Sequence, residues 1–211
     1  AKPGTRWAFR EVSQRRGDFA IVALAAIGAS NGVRLGIGGV AGGNAEGDAW
    51  YVDFFRGFTH LFTFGANIGT PVCDVPTGGF TWHKTWQPVV IDQWQLPAVP
   101  AGDRFTTIMT WKIESFADVD GNKNIEFMKF LDVAARSPHP IELAVNGPQD
   151  LLRAHGWRTV DGMGVSRHLW DYRAYIQGSR GEFGVAKHAY VSRRSGWFSD
   201  RTECYLAAGR P

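Results

Sequence analysis

The sequence predicts an α/β fold built on a parallel sheet, and two observations from its second half predict it. Short apolar segments alternate with helical ones along the chain. Residues typical of helix boundaries stand where these segments meet, such as Pro148 in a first turn and Gly209 after a last one. Strands separated by helices of this length pair in parallel through right-handed crossovers. We therefore expect a Rossmann-like sheet, whose ligands bind at the carboxyl ends of the strands.

Each element of this half follows from the same pattern. We predict strands and helices in alternation over 104–111, 122–133, 141–145, 148–155, 158–160, 169–177 and 183–191, with a final helix from Ser199. Ser199 and Asp200 open the final helix, because such side chains satisfy free N–H groups of a first turn. Gly209, with Pro211 soon after it, closes that helix.

The first half is less regular. Residues 5–17 predict an amphipathic helix ended by Gly17, a buried strand follows, and residues 33–40 are expected to pair with that strand. The segment 42–48 is a glycine-rich flexible joint. Residues 54–64 indicate a short helix leading into a strand, and the glycine turn 65–69 ends that strand. The connection that follows is broken up by proline and glycine.

Charge and composition exclude several classes of function. A net charge of +3 over 211 residues suits an anionic small molecule or peripheral contact with a membrane surface, and no Lys/Arg run is long enough to predict nucleic-acid binding. The longest apolar run, 19–29, is too short to span a bilayer. Cys73 and Cys204 belong to no CxxC pattern, so we expect no zinc site, no disulfide framework and a reducing, cytoplasmic location.

The start of the last helix is the first candidate site. Helix N-termini attract phosphate, because unpaired N–H groups and the positive end of the dipole point the same way. Arg193, Arg194 and Arg201 add full positive charge beside it. This arrangement predicts a diphosphate site. No carboxylates or histidines have metal-ligand spacing, so we expect no metal dependence.

Four segments in order carry a family resemblance: Asn67-Ile-Gly69, Gly121-Asn-Lys123, Ala144-Val-Asn-Gly147, and 179–211 with its Ala-Ala-Gly-Arg-Pro ending. With them, residues 50–211 resemble a GT-B type glycosyltransferase. The resemblance implies the end of an acceptor domain and a hinge over 49–100, and a nucleotide-sugar donor domain over 101–211. In that family a buried strand would follow Pro211, so we expect a truncated donor domain, inactive by itself.

The resemblance also implies roles for individual residues. Lys123, Ser199 and Arg201 would bind the donor diphosphate while the hydroxyl of an unknown acceptor displaces it from the anomeric carbon. Further donor-site candidates are Glu182, Lys187, Arg193 and Cys204. Many retaining members carry two glutamates eight positions apart, and this chain has Gly196 and Cys204 there. Whether the reaction retains or inverts configuration, which residues are catalytic, and which sugar is transferred therefore stay open.

Each candidate also has a structural interpretation. Lys123 could be a solvated lysine of a first helical turn, Ser199 and Asp200 simple caps, and Arg201 a surface arginine. His188 is interpreted as a packing residue, and His60 and His83 lie on the acceptor side, where an inverting enzyme could keep a base. The tryptophans could pack the hinge or stack on sugar; they are Trp82, Trp86 and Trp94.

A second resemblance covers residues 5–41. Phe9-Arg-Glu-Val, Arg15-Arg-Gly-Asp-Phe-Ala20 and Gly38-Gly-Val-Ala41 resemble the C-terminal domain of the FAD-binding medium subunit of carbon monoxide dehydrogenase and related molybdenum hydroxylases. It implies FAD as cofactor under this alternative and transfers no active-site residue, and a non-catalytic binding module is a third alternative. Because two unrelated resemblances meet at 42–48, we expect a chimera with a fragment-like segment over 1–48.

Overall fold

The computed structural model describes residues 6–8, 24–27, 34–37, 55–95, 101–111 and 122–211. The chain divides into two compact units. Unit 1 comprises Ala1–Trp86 with Ala189–Phe198, and unit 2 comprises Gln87–His188 with Ser199–Pro211. Within the described ranges, no helix is both long and apolar enough to cross a membrane.

Unit 1 contains a mixed sheet of five short strands in the order β1-β2-β3-β4-β5. These strands are β1 (Arg6–Ala8), β2 (Leu24–Ile27), β3 (Arg34–Ile37), β4 (His60–Thr63) and β5 (Trp82–Lys84). The first three pair antiparallel and the last three pair parallel. Leu61 and Thr63 of β4 are buried, and the Phe55 ring packs edge-on against the ring of Trp82.

Two predictions for unit 1 are confirmed and one is wrong. Residues 33–40 contain β3, which pairs with β2, and residues 54–64 contain β4. The helix predicted over 5–17 is wrong at Arg6–Ala8, which pairs with β2 as a strand, since backbone hydrogen bonding to a distant segment overrides a local helical pattern. The remainder of that prediction and the joint at 42–48 lie outside the described residues.

The basic loop after residue 192 also belongs to unit 1. The turn at 65–69 holds it, since the backbone N–H of Asn67 donates to the Ser195 carbonyl at 3.0 Å and the Asn67 amide donates to the Arg194 carbonyl at 2.9 Å. Gly196 has φ +69°, and a Cβ there would lie 2.9 Å from Cγ of Asn67. A glycine is therefore required where the loop crosses the turn. Arg194 forms an ion pair with Asp74 at 2.8 Å.

Unit 2 is built on a fully parallel sheet in the order β8-β7-β6-β9. Its strands are β6 (Phe105–Thr110), β7 (Ile141–Asn146), β8 (Arg158–Val160) and β9 (Gly181–Glu182). The predicted α/β class and parallel pairing are confirmed, as are the strands predicted over 104–111, 141–145 and 158–160.

Helices precede, connect and follow these strands. They are α1 (Ile91–Trp94), α2 (Lys123–Phe127), α3 (Val133–Arg136), α4 (Gln149–Ala154), α5 (Gly162–Ser166), α6 (Leu169–Gln177), α7 (His188–Ser192) and α8 (Asp200–Ala207). The helices predicted over 148–155, over 169–177 and from Ser199 are confirmed, and Gly209 at φ +66° follows the last one. The helix predicted over 122–133 is interrupted by a 3-10 turn at Met128–Phe130.

The strand predicted over 183–191 is wrong. After β9 the Phe183 N–H still donates to the Thr106 carbonyl, but the next carbonyl along β6 on this side, that of Ile108, accepts a hydrogen bond from Arg201 at 2.7 Å. A carbonyl occupied by a guanidinium is lost to the strand ladder, so pairing with β6 ends there. Residues from His188 onward form α7 instead.

Both faces of the unit 2 sheet are covered by apolar side chains. One face packs a cluster that includes Met109, Phe127, Leu143 and Trp157. The opposite face packs Trp94, Ile176 and Tyr205, together with the partly buried Ile108 and Cys204. The alternation of Ile108 and Met109 between the two clusters is the period of a strand buried on both sides. Unit 2 is thus a three-layer arrangement with its sheet in the middle.

Candidate functional site

The order of the strands in unit 2 places a topological switch point beside β6. From β6 the chain proceeds to β7 and β8 on one side, and β9 then adds on the other side of β6. In open parallel sheets the connections that leave two such neighbouring strands diverge to opposite faces, which leaves a crevice at their carboxyl ends. The segments that follow β6 and β9 lead to Lys123 and Lys187, respectively.

Lys123, the first residue of α2, is half-buried within a group of charged side chains. Burial lowers the pKa of its ammonium to about 7, with a further lowering by the nearby positive charges of Arg201 and Lys187. The carboxylates of Glu182 and Asp200 partly oppose this shift. These electrostatic interactions show that five residues predicted from separate segments come together. We call them the switch-point cluster: Lys123, Glu182, Lys187, Asp200 and Arg201.

Arg201 lies in the first turn of α8 and is held rigidly inside the cluster. Its Nε donates to Glu182 Oε1 at 2.5 Å and its Nη1 donates to the Ile108 carbonyl at 2.7 Å. The side chains of Arg201 and Glu182 are only 11% and 6% exposed. The interpretation of Arg201 as a surface arginine is therefore wrong. Arg201 ties α8 to β6 and β9, and its charge stays beside Lys123.

The N-terminus of α8 is not capped by the Ser199 side chain. Ser199 occupies the N-cap position with extended backbone angles, and its hydroxyl makes no cap hydrogen bond. The hydroxyl contacts Asp200 Oδ1 at 3.4 Å instead. The interpretation of Ser199 as a simple side-chain cap is therefore wrong. Because the Ser199 hydroxyl accepts no hydrogen bond from the N–H groups of the first turn, those groups can donate to an anion.

The remaining predicted donor-site residues divide between the two units. Lys187 is half-buried, and burial lowers the pKa of its ammonium. Cys204 packs partly buried against the cluster of Trp94, Ile176 and Tyr205, and burial raises the pKa of its thiol to about 11. Cys204 is thus an unreactive thiol at neutral pH. Arg193 is exposed and belongs to unit 1.

One group of residues was missed by sequence reasoning. The Glu126 side chain is 7% exposed and accepts hydrogen bonds from His188 Nδ1 at 2.6 Å and from Lys129 Nζ at 2.8 Å. The hydrogen bonds from Lys129 and His188 lower the pKa of this carboxyl. His188 had been placed in a strand, which is wrong, whereas its interpretation as a satisfied packing residue agrees with an imidazole that is bonded to a carboxylate. The spacing of Glu126 and Lys129, one helical turn apart, was the signal available in the sequence for that pair, and no spacing indicates the contact with His188.

The other histidines and the tryptophans are assigned by their surroundings. His60 and His83 are exposed on neighbouring strands β4 and β5, with their ring centroids 5.9 Å apart. Trp94 is buried in a core cluster of unit 2, where it packs against Tyr172. In unit 1, Trp86 is exposed and packs edge-on against Phe198.

Within the part of the chain that the structure describes, no three His, Cys, Asp or Glu side chains converge on a point that could hold a metal ion. Comparison with models of protein families, with curated proteins and with solved structures found no match to this chain.

Proposed function

We propose that unit 2 binds the diphosphate of a nucleotide-sugar at the switch-point cluster, as the donor-binding part of a glycosyltransferase of the GT-B type. The observation that carries this proposal is the position of Lys123. Its ammonium is half-buried, close to two other cations, at the edge of a parallel sheet where such folds bind ligands.

Electrostatics favours an anion as the ligand. The position of Lys123 beside Arg201 and Lys187 is unfavourable for its charged form, and the carboxylates of Glu182 and Asp200 offset this only in part. A bound diphosphate would reverse the sign of that interaction, since each ammonium would then face negative charge. Perturbed lysines in a crevice are accordingly typical of functional sites.

The start of α8 supplies the second half of the proposed binding site. Its first turn lies in the same cluster, because Asp200 and Arg201 both interact electrostatically with Lys123. N–H groups left uncapped by Ser199 would bind phosphate oxygens along the helix dipole. Such groups stabilise the negative charge that accumulates on a departing diphosphate without a metal ion.

In the whole enzyme, the bound donor would react with an acceptor. An acceptor hydroxyl would attack the anomeric carbon of the bound donor, and the nucleoside diphosphate would leave. We place this activity in the reducing cytosol, where Cys73 and Cys204 remain free thiols, as the structure has them. The acceptor remains to be identified by its reaction.

Isothermal titration of the chain with UDP, GDP and FAD tests the proposal. We expect UDP or GDP to bind and FAD not to bind. Lys123→Ala should weaken the binding by about tenfold to hundredfold, the worth of about one charge-assisted hydrogen bond. Lys129→Ala is the matched control, because Lys129 lies just beyond the same helix and is 59% exposed. Binding of FAD alone, or equal affinity in the Lys123 variant, would contradict the proposal.

A further inference from the structure

The bonding of His188 is specific and asymmetric. Its Nδ1 lies 2.6 Å from Oε1 of Glu126, while the other oxygen of that carboxylate accepts from Lys129. A carboxylate that faces Nδ1 selects the tautomer with the proton on Nδ1. The lone pair of the neutral imidazole is then on Nε2, so the free nitrogen of His188 is a base.

His188 is also fixed next to the switch-point cluster. Its backbone N–H donates to the carbonyl of Asn122 at 3.4 Å, and Asn122 immediately precedes Lys123. Glu126 lies one helical turn beyond Lys123, and Lys187 is the neighbour of His188 in sequence. The imidazole is therefore held by α2 through Glu126, and the backbone of His188 is held by Asn122 just before that helix. Its side chain is 24% exposed, which leaves it accessible to a substrate.

We propose that Glu126 and His188 form a proton-accepting dyad in which Nε2 of His188 takes the proton of the hydroxyl that attacks the donor. This inference rests on the proposed function. His188 is the catalytic residue of the dyad, and Glu126 is a positioning residue that fixes the tautomer and stabilises the imidazolium once it forms.

In the proposed transfer step, the acceptor O–H bond breaks and its proton moves to Nε2 of His188. At the same time the acceptor oxygen forms a bond to the anomeric carbon. The bond from that carbon to the diphosphate oxygen breaks, and its electron pair stays on the diphosphate, next to Lys123. Within the described part of the chain, the imidazole bonds to the carboxylate of Glu126, and that carboxylate also accepts a hydrogen bond from the ammonium of Lys129. Water later removes the proton from His188.

Long-range ¹H–¹⁵N NMR of the uniformly labelled full chain tests this proposal, with UDP as the probe. We expect neutral His188 to carry its proton on Nδ1, and UDP to shift the Nε2 resonance. His155 provides a control within the same molecule. Its Nδ1 lies 2.6 Å from Asp132, but neither residue belongs to the switch-point cluster, so UDP should leave its signals unchanged.

Variants separate the dyad from simple packing. Glu126→Ala should return His188 to the tautomer with the proton on Nε2, which predominates in free histidine. Glu126→Gln keeps an acceptor oxygen and should retain the Nδ1 proton, which guards against loss of folding in the first variant. Lys129→Ala removes the exposed lysine that bonds the other oxygen of Glu126, and His188 should keep its Nδ1 proton in this variant as well.

The outcomes for the two proposals are distinct. A wild-type His188 with its proton on Nε2 overturns the dyad and leaves nucleotide binding untouched. The dyad is also overturned, and nucleotide binding is supported, if UDP binds with the expected dependence on Lys123 but does not shift the Nε2 resonance of His188. If neither UDP nor GDP binds, the proposed function fails, and the dyad fails with it.

Discussion

The charge of Lys123 is the residue-scale property on which the proposed binding depends. Its ammonium has a pKa of about 7 in the folded protein, so the lysine is charged below neutral pH and largely neutral above it. An anion binds the charged form, and above pH 7 binding must therefore take up a proton. The same linkage applies in part to Lys187, whose pKa is also lowered by burial.

We therefore expect the affinity for UDP to fall as the pH rises from 7 to 9, by up to about tenfold per pH unit. The measurement is isothermal titration across that range, with the wild-type chain compared to Lys123→Ala. The variant is the control for titration of the ligand, because it shares every other titrating group. A pH profile that is the same in both chains would show that the Lys123 ammonium is not the group that binds.

The same lysine lowers the stability of the folded chain. Its pKa in an unfolded chain is 10.5, so between about pH 7 and 10.5 the unfolded state binds more protons than the folded state. The contribution of this group to the free energy of unfolding is thus most unfavourable below pH 7, and it improves as the pH rises through that window. The proposed role of Lys123 in binding and its effect on stability are therefore opposed.

Lys123→Met should stabilise unit 2 at pH 7 by about 1–2 kcal/mol, a value kept small because the lysine is only half-buried. The advantage over wild type should shrink between pH 7 and 10, as the wild-type penalty disappears. Urea denaturation of both chains at pH 7 and pH 10 measures this. A variant that is less stable than wild type at pH 7 would contradict the lowered pKa.

At the scale of elements, α8 is held by a buried ion pair. Arg201 joins it to Glu182 of β9 and to the Ile108 carbonyl of β6, with both charged side chains nearly inaccessible. Removing one member of such a pair leaves an uncompensated buried charge. The contact is therefore a structural requirement of the site as well as a source of its charge.

Arg201→Ala should destabilise the protein by about 3–5 kcal/mol, since it leaves the Glu182 carboxylate buried without its partner. Arg153→Ala is the control, because Arg153 and Asp150 form an exposed pair on α4 and its loss should cost less than about 0.5 kcal/mol. Thermal or urea unfolding of the two variants gives the comparison. Equal losses would show that the Glu182 pair is no better than a surface contact.

Local patterns predicted the elements that have a clear apolar periodicity and clear boundary residues. The strands within 104–111 and 141–145 and the helices over 169–177 and from Ser199 are set by their own periodicity and boundary residues. The strand predicted over 183–191 was mispredicted because a distant side chain occupies a carbonyl that it would have needed. Arg201 donates to the Ile108 carbonyl of β6 at 2.7 Å, where pairing would otherwise have continued.

The candidate site could be predicted from the sequence only where its residues stand at recognisable positions of an element. Lys123 and Arg201 stand near helix starts, positions that a sequence shows directly, and the structure brings them together. The contact of Glu126 with His188 spans 62 residues, and His188 had been assigned to a strand. Without the fold, no spacing rule joins those two side chains.

At the scale of the whole molecule, all members of the switch-point cluster belong to unit 2 although its chain is interrupted. Residues 189–198 belong to unit 1, and the chain returns to unit 2 at Ser199. Lys187 precedes that interruption and Arg201 follows it, so unit 2 needs both segments to complete the cluster. A deletion that simply removes the C-terminal 23 residues would therefore also remove half of the proposed binding site.

Hydrogen–deuterium exchange with and without UDP locates the ligand on the whole chain. Bound UDP should slow exchange in peptides that cover Lys123–Phe127 and the first turn of α8, because those N–H groups either donate to phosphate or lie beside it. Peptides of β4 and β5 in unit 1 provide the reference and should exchange unchanged. Repeating the experiment with FAD tests the medium-subunit alternative, which requires FAD to bind this chain. Protection by UDP confined to unit 1 would move the binding site away from the switch point and remove the basis for the donor proposal.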